Sequence, residues 1–114
     1  MSAPVGPYSP YFISEPFVYC SGQIGVNNGK LSGDIFEETI ACLKNLDVIL
    51  RQVNLSLKDV VKTTIFMANI EDYAAMNEAY IGEFGDHRPA RSAVAVKDLP
   101  LGALIEIEAV AKIQ

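Results

Sequence analysis

The sequence predicts an α+β fold in which a mixed β-sheet carries two helices on one face. Half of the 114 residues are hydrophobic; two segments have apolar residues at helical spacing, and four have the composition or alternation of strands. Their order is strand, helix, strand, helix, strand, strand, which suggests that both helices cover the same face of the sheet. The length suits one core, so we predict a single domain over residues 1–114.

The predicted strands cover residues 17–26, 60–67, 91–96 and 104–113. In the last strand Ile105 and Ile107 share one face, whereas Glu106 and Glu108 share the other. The segment before the first strand, residues 1–16, holds four of the six prolines. We expect it to be an extended arm with little regular structure.

The predicted helices cover residues 34–54 and 71–84. The first begins at a capping box, in which Asp34 accepts from backbone N–H groups and Glu37 reaches back. The second ends at Gly85 and places Asn77 inside its apolar stripe. A core-facing amide needs partners, so Asn77 either bonds to a neighbouring backbone or lines a wet pocket.

The face of the sheet away from the helices also has a predicted character. Alternation puts Arg91 and Ala93 on one face of their strand and Val94 on the other. If the valine packs toward the helices with Ile107, the arginine and the alanine share the open face with Glu106. Such a half-polar, half-apolar face on a small domain predicts oligomerisation.

Bulk composition narrows the classes of function. A net charge of −5, a pI near 4.7 and the lack of a Lys or Arg run argue against a protein that tracks a nucleic-acid backbone. No apolar run approaches the ~20 residues that span a bilayer. The N-terminus has no basic stretch followed by an apolar one, so we expect a cytoplasmic protein.

Metal and cofactor sites have no support in the sequence. Cys20 and Cys42 lack the spacing of a metal site or a disulfide framework and are expected to be buried. The single histidine, His87, is expected to be an exposed loop residue rather than a general base. No glycine-rich phosphate loop is present, so we predict neither metal nor cofactor.

Arg91 is the candidate binding residue, because a proline turn leads its guanidinium directly onto a strand of small residues. A guanidinium presents a planar fork that matches a carboxylate or phosphate with two hydrogen bonds. Arg91 is therefore either an oxyanion clamp or half of a structural salt bridge to one of the 14 acidic residues. This segment alone leaves both interpretations open.

Glu106 and Glu108 form a candidate acid–base pair. They are two residues apart on one strand, so their carboxylates repel, and the pKa of one of them is expected to rise. A raised pKa is one way to make a general acid or base. The alternative is that Arg91 or Lys62 neutralises the pair.

Six separated segments resemble, in order and spacing, those of the RidA/YjgF family of enamine/imine deaminases. They are residues 6–10 (GPYSP), 21–24 (SGQI), 60–66 (VVKTTIF), 76–80 (MNEAY), 89–92 (PARS) and 105–109 (IEIEA). The segments extend over nearly the whole chain. Each is weak alone, but their combination is specific.

The resemblance implies a chorismate-mutase-like α+β fold, assembled as a homotrimer whose sheets form a central barrel and whose sites lie between subunits. It also implies hydrolysis of 2-iminoacids, of the 2-iminopropanoate and 2-iminobutanoate type, to 2-ketoacids and ammonia. The implied partners are a small iminoacid or ketoacid and two further copies of the chain. No nucleic acid, membrane, metal or cofactor is implied.

The resemblance further implies roles for individual residues. Arg91 corresponds to the arginine that grips the substrate carboxylate, and Glu106 to the carboxylate that holds and activates the attacking water. Tyr8 corresponds to the tyrosine that closes over the substrate. Ser21 and Asn77 correspond to pocket-lining positions, for which a purely structural role is equally open.

Two features depart from the family pattern. The deaminase subgroup usually has a cysteine two residues after the arginine, where this chain has Ala93. The role there belongs largely to the backbone carbonyl, so catalysis can survive the change. The short strand that commonly precedes the Gly-Pro-Tyr arm is expected to be missing or reduced, which would loosen Tyr8.

Three other functions remain open at this stage. A non-catalytic trimer that binds a small carboxylate or ketoacid as a regulatory module would use Arg91 equally well. An endoribonuclease or translation inhibitor, as family members have been described, fits the acidic charge poorly. A chorismate-mutase-type isomerase would need more cations than Arg91 and ranks last.

Overall fold

A computed structural model describes residues 6–114, which form a five-stranded sheet, a two-stranded ladder and two helices. The strands of the large sheet are β1 (Tyr11–Ser14), β2 (Phe17–Ile24), β5 (Val60–Met67), β6 (Ala90–Ala95) and β7 (Ile105–Lys112). The ladder comprises β3 (Val26–Asn27) and β4 (Lys30–Leu31), and the helices are α1 (Ile35–Arg51) and α2 (Tyr73–Phe84).

The large sheet has the strand order β1-β2-β7-β5-β6. The β5–β6 pair is parallel, and the other pairs are antiparallel, so the sheet is mixed. Helix α1 packs against β2 and β7, and α2 lies beside α1 and contacts β5 through a hydrogen bond between Tyr80 and Thr63. The predicted α+β fold with both helices on one face is confirmed.

The core lies between the two helices and the sheet face beneath them. In β7 the residues Ile105, Ile107, Ala109 and Ala111 are buried, which confirms the predicted alternation. Helix α1 contributes a buried stripe, and the fully buried members are Cys42, Leu43, Leu46, Ile49 and Leu50. Burial of each large aliphatic side chain stabilises the fold by about 1.5–3 kcal/mol.

The N-terminal arm is more regular than predicted. Its residues Tyr11–Ser14 form β1 and pair with β2 in antiparallel register. The backbone of this edge strand therefore makes ladder hydrogen bonds, and only residues 6–10 fit the expected irregular arm. The predicted loss of a strand before the arm concerns residues that lie outside the described part of the chain.

The observed helix ends agree in part with those predicted from the sequence. Asp34 caps α1, since its Oδ1 accepts from the Glu37 N–H at 2.9 Å. The reciprocal bond from the Glu37 side chain is absent within residues 6–114, so the predicted capping box is only half formed. Gly85 ends α2 as predicted, with φ +64°, and its N–H bonds to the Ile81 carbonyl.

The register of β6 overturns the predicted facing of its side chains. The aligned positions are Thr63 with Arg91, Ile65 with Ala93 and Phe66 with Val94. The threonine and isoleucine are fully buried on the helix side, so Arg91 and Ala93 also face the helices. Val94 is 46% exposed and faces away with Glu106, which aligns with the same phenylalanine. The expectation that Arg91 and Ala93 share the open face with Glu106 is wrong.

His87 is half-buried, so the expectation of an exposed loop histidine is wrong. Its Nε2 lies 2.6 Å from the Val60 carbonyl oxygen. A carbonyl only accepts, so Nε2 carries the proton in this hydrogen bond. The loop before β6 thus folds back on the start of β5, and His87 ties the two strands together.

Both cysteines are buried, as predicted. Burial raises the pKa of the Cys20 thiol to about 11 and also raises the pKa of the Cys42 thiol. Within residues 6–114, no three His, Cys, Asp or Glu side chains converge as metal ligands would. None of the helices in this part of the chain has the length and apolar character needed to cross a bilayer.

Candidate functional site

Glu106 lies on the open face of the central strand β7 and is half-buried. Burial raises the pKa of its carboxyl above the ordinary value, and the nearby Glu108 carboxylate raises it further. The predicted direction of the shift is therefore confirmed, but burial contributes more than the repulsion on which the prediction rested. A carboxylate of this kind can take a proton from water and later return it.

Glu106 and Glu108 have no cationic partner among residues 6–114. The only ion pairs in this part of the chain join Lys44 to Glu83 and Arg51 to Asp47. The alternative in which Arg91 or Lys62 neutralises the two glutamates is therefore wrong for the single chain.

A bulge in β2 brings a glycine against the Glu106 carboxylate. From Cys20 to Gln23 the β2 chain advances three residues while the paired β7 chain advances two, which leaves one extra residue in β2. A Cβ placed on Gly22 would lie 2.9 Å from Cδ of Glu106 and closer still to Oε2. A side chain at this position would therefore require the Glu106 side chain to move.

Tyr8, on the N-terminal arm, and Ser21, on β2, lie close to each other around one surface depression. The Ser21 hydroxyl donates to the Ser9 carbonyl at 2.6 Å, and the Ser21 N–H donates to the Pro10 carbonyl at 2.9 Å. These bonds hold the arm beside β2, in continuation of the β1–β2 pairing. The residues that line the resulting surface depression of about 280 Å³ are Tyr8, Ser9, Phe12, Tyr19, Cys20 and Ser21. Ser21 directly precedes Gly22, whose Cα lies against the Glu106 side chain, so the two features are neighbours along β2.

Arg91 lies at the edge strand β6, on the helix side of the sheet, among side chains of α2. Its Nη2 donates to the Tyr73 hydroxyl at 2.8 Å, and its Nη1 lies 4.0 Å from Sδ of Met76. The guanidinium carbon is 4.9 Å from the ring centroid of Tyr80 and 5.5 Å from that of Tyr73. These are cation–π distances, so the guanidinium is held by aromatic rings.

Arg91 has no acidic partner. No carboxylate among residues 6–114 lies within 4.0 Å of its guanidinium, and residues 1–5 contain no Asp or Glu. The interpretation of Arg91 as half of a structural salt bridge within the chain is therefore wrong. A half-buried cation without a counter-ion is suited to bind an anion from outside the chain.

Asn77 lies on α2 one turn after Tyr73. Its Oδ1 is buried and accepts no hydrogen bond from any residue of the described range 6–114. Of the two predicted alternatives, the bond to a neighbouring backbone is thus absent for this oxygen. Ala93, on β6, is half-buried and packs against the core on the same face as Arg91.

The candidate residues form two separate half-sites. The first half-site comprises Glu106 and Gly22, with Ser21 and Tyr8 beside them along β2 and the arm. The second comprises Arg91, Tyr73 and Tyr80, with Asn77 on the same face of α2 as the two tyrosines. β6 is two strands from β7, about 10 Å across the sheet, and Arg91 faces the opposite side from Glu106. One substrate therefore cannot contact both charged groups within a single chain.

Two features of these half-sites were missed in the sequence. Tyr73 and Tyr80 are seven residues apart on one helix face, and Tyr73 is 42% exposed and bonds to Arg91. Gly22 could have been noticed as a glycine inside a predicted strand, which often marks a bulge or a close backbone approach.

The fold and the two half-sites define a small α+β protein in which, among residues 6–114, a cation on one sheet face and a carboxylate on the other have no ion-pair partner. A family model described as endoribonuclease L-PSP matches residues 1–113. The chain belongs to this family, the RidA/YjgF family, as the sequence resemblance predicted.

Relatives and solved structures agree with that assignment. Human 2-iminobutanoate/2-iminopropanoate deaminase is 44% identical over 110 residues, which cover 94% of this chain and 80% of that protein. The mitochondrial protein mmf1 of Schizosaccharomyces pombe is 44% identical over 110 residues, 93% of this chain and 68% of that protein. The crystal structure of Escherichia coli TdcF with bound serine has a TM-score of 0.92 at 32% identity and covers 98% of this chain and 92% of that chain.

Proposed function

We propose that this protein is a cofactor-independent deaminase that hydrolyses short 2-iminoacids to 2-ketoacids and ammonia. The observation that carries the proposal is the unpaired guanidinium of Arg91, which has no carboxylate within 4.0 Å in a chain with 14 acidic residues. A 2-iminoacid would supply that carboxylate. The deaminase activity named for the human relative supports the same substrate class.

The proposed active form is a homotrimer with sites between subunits. A second chain is required because Arg91 and Glu106 lie on opposite faces of one sheet. The open face carries exposed apolar side chains, of which Tyr19 is 47% and Val94 46% exposed, and their burial between chains would stabilise the assembly. We expect light scattering to give a mass of three 12.4 kDa chains.

In the proposed reaction Arg91 of one subunit holds the substrate carboxylate with two hydrogen bonds. Glu106 of another subunit takes a proton from water while the water oxygen bonds to the imine carbon. Glu106 then returns the proton to the nitrogen, which gives a carbinolamine. It next takes the hydroxyl proton of this carbinolamine and delivers it to the nitrogen, so the C–N bond breaks and ammonia leaves as the new C=O bond forms. An imine carbon is already electrophilic, so orientation and water activation supply most of the acceleration.

The remaining candidate residues would line this site. Tyr8 would close over the substrate, and the Ser21 hydroxyl would remain engaged with the arm. The unpartnered Oδ1 of Asn77 would accept a hydrogen bond from the ligand or from a neighbouring chain. At Ala93 the backbone carbonyl would contribute, so the methyl side chain does not remove the activity. The cytoplasmic location stays a prediction, since one relative is named as mitochondrial.

The test is a coupled assay in which threonine dehydratase generates 2-iminobutanoate in the presence of semicarbazide. We expect the wild type to reduce semicarbazone formation and Arg91→Ala and Glu106→Gln to lose that effect. Arg88→Ala is the matched control, because Arg88 lies three residues earlier and bonds only to the Gly85 and His87 carbonyls within residues 6–114. It should retain the wild-type rate.

The second candidate function is a trimeric module that binds a small carboxylate or ketoacid without turning it over. The bound serine in the solved structure of TdcF favours it. Calorimetry with 2-ketobutanoate separates the two functions. If the wild type binds this ketoacid through Arg91 but leaves semicarbazone formation unchanged, the binding module replaces the deaminase.

A further inference from the structure

Within the described residues, the Tyr73 hydroxyl makes the one short hydrogen bond to the Arg91 guanidinium. The Nη2–hydroxyl distance is 2.8 Å, whereas the contact of Nη1 with the Met76 sulfur is 4.0 Å. A guanidinium only donates, so the tyrosine oxygen is the acceptor in this bond. Among residues 6–114 the Tyr73 hydroxyl has no other hydrogen-bond partner.

The atom that Tyr73 contacts determines which part of the guanidinium remains free. A guanidinium can bind a carboxylate bidentately along two edges, one formed by Nη1 and Nη2 and one formed by Nε and Nη2. Nη2 belongs to both edges and contributes one hydrogen to each. Tyr73 therefore occupies one edge and leaves the other complete.

The surroundings keep this arrangement in place. The guanidinium lies near the faces of both the Tyr73 and the Tyr80 rings, which restricts its plane. Tyr80 is itself anchored, since its hydroxyl is 2.7 Å from that of buried Thr63. Tyr73 is the first residue of α2, and its backbone N–H bonds to the Ile70 carbonyl. Tyr73 is 42% exposed whereas Tyr80 is 4% exposed, so Tyr73 forms the solvent side of the cluster.

We propose that Tyr73 is a positioning residue that selects the edge of the Arg91 fork offered to the substrate carboxylate. The identity of that ligand rests on the proposed function, but the positioning does not depend on turnover. Tyr73 acts through Arg91, so it affects how well the carboxylate is held in substrate and transition state alike. Loss of such uniform binding raises KM and leaves kcat unchanged.

The experiment compares the wild type with Tyr73→Phe, which keeps the ring and removes only the hydroxyl. We expect the Kd for 2-ketobutanoate and the KM in the coupled assay to rise about tenfold, equivalent to about 1.4 kcal/mol, because the guanidinium loses the hydrogen bond that fixes its orientation. The kcat should stay within about twofold and the melting temperature should not change. Tyr11→Phe is the control, because the Tyr11 hydroxyl bonds to nothing within residues 6–114, and it should behave as the wild type.

A double-mutant cycle that combines Tyr73→Phe with Arg91→Lys separates a positioning role of Tyr73 from a general effect of its loss on the structure. Lysine presents a point charge without edges, so Tyr73→Phe should weaken ligand binding no further in that background. Additive losses, or an unchanged Kd in Tyr73→Phe alone, would overturn the inference. If the wild type hydrolyses no imine but Tyr73→Phe still weakens ketoacid binding through Arg91, the inference stands and the proposed deaminase function fails.

Discussion

The backbone of Gly22 lies directly against the Glu106 carboxylate, and there is no space between them for a methyl group. A Cβ on Gly22 would lie 2.9 Å from the carboxyl carbon and 3.1 Å from Cγ of Glu106. Real Cβ atoms do not approach other carbons this closely, so one of the two groups would have to move. The β2 bulge therefore controls where the candidate general base lies.

Gly22→Ala should displace the Glu106 carboxylate and reduce deaminase activity. A displacement of about 1 Å at a reacting group can lower the rate about 100-fold, so we expect kcat/KM to fall by about that factor. The coupled semicarbazide assay measures it, and circular dichroism verifies that the variant is folded. A folded Gly22→Ala protein with the wild-type rate would contradict the assignment of Glu106 as the base.

Gly82→Ala is the matched control for that change. Gly82 lies in α2, and a Cβ there would meet no atom within 4 Å. We expect wild-type activity and a gain of about 0.4–1 kcal/mol in the free energy of unfolding, because alanine restricts the unfolded chain and suits a helix better. Urea denaturation measures the gain.

Glu108→Gln should shift the pH dependence of activity to lower pH. Burial is the larger cause of the raised pKa of Glu106, and the Glu108 charge adds to it. A general base must be deprotonated, so activity is lost as pH falls through the pKa of Glu106. Removal of the Glu108 charge lowers that pKa, and the acid limb of the kcat/KM profile should move to lower pH.

The control for this profile is Asp86→Asn, an equal change of net charge in an exposed loop. Its acid limb should coincide with that of the wild type. An acid limb that moves equally in both variants would indicate a general charge effect rather than a contact between the two glutamates.

As the pH rises, the free energy of unfolding of Glu38→Gln should increase relative to that of the wild type. Glu38 is 2% exposed and accepts from the Leu104 N–H at 2.9 Å. Burial raises the pKa of its carboxyl in the folded state, and the charge of Asp34 adds to that rise while the Leu104 bond opposes it. The folded protein therefore binds this proton more tightly than the unfolded chain does. Its stability falls as the pH rises from the pKa of Glu38 in the unfolded chain to the higher pKa in the folded protein.

Glutamine keeps the acceptor for Leu104 and has no proton to lose. The free energy of unfolding of Glu38→Gln, relative to the wild type, should thus increase from below the ordinary glutamate pKa of about 4.3 up to neutral pH. Urea denaturation at several pH values measures it, with the exposed Glu37→Gln as the charge-matched control. If the difference in the free energy of unfolding between the two proteins does not change with pH, the pKa of Glu38 is the same in the folded protein and in the unfolded chain.

Thr63 and Tyr80 should behave as one energetic unit. Their hydroxyls are 2.7 Å apart, and both residues are buried. Either Thr63→Val or Tyr80→Phe leaves a buried hydroxyl unpaired, so each should lower the free energy of unfolding by about 1–3 kcal/mol. The double variant should lose clearly less than the sum of the two, as measured by urea denaturation. Strict additivity would contradict the hydrogen bond.

Much of the fold follows from local pattern. The alternation of β7 predicted which of its residues are buried, because a strand with one covered face exposes every second side chain. Asp34 and Gly85 predicted where α1 begins and α2 ends, because unpaired backbone groups at helix ends need a side-chain cap or a left-handed residue. These signals lie within a few residues of each other, so no tertiary information is required.

The candidate site was predicted less completely. The charged residues Arg91 and Glu106 were identified from the sequence, whereas the partners that hold them were not. Tyr73 and Gly22 reach their positions through contacts between elements distant in sequence, namely α2 with β6 and β2 with β7. Such contacts depend on how the strands are aligned with each other. The spacing of apolar residues within one segment does not show this alignment.

The sequence by itself determined the two helices, four of the strands, the layered α+β arrangement and the residues that share a face in β6 and β7. Only the tertiary structure decided which face of β6 meets the helices. Small residues occupy both faces of this edge strand, and its one β-branched residue, Val94, is exposed, so hydrophobicity pointed to the wrong face. The parallel pairing with β5 aligned Arg91 with buried Thr63 and thereby put the cation and Glu106 on opposite sides of the sheet.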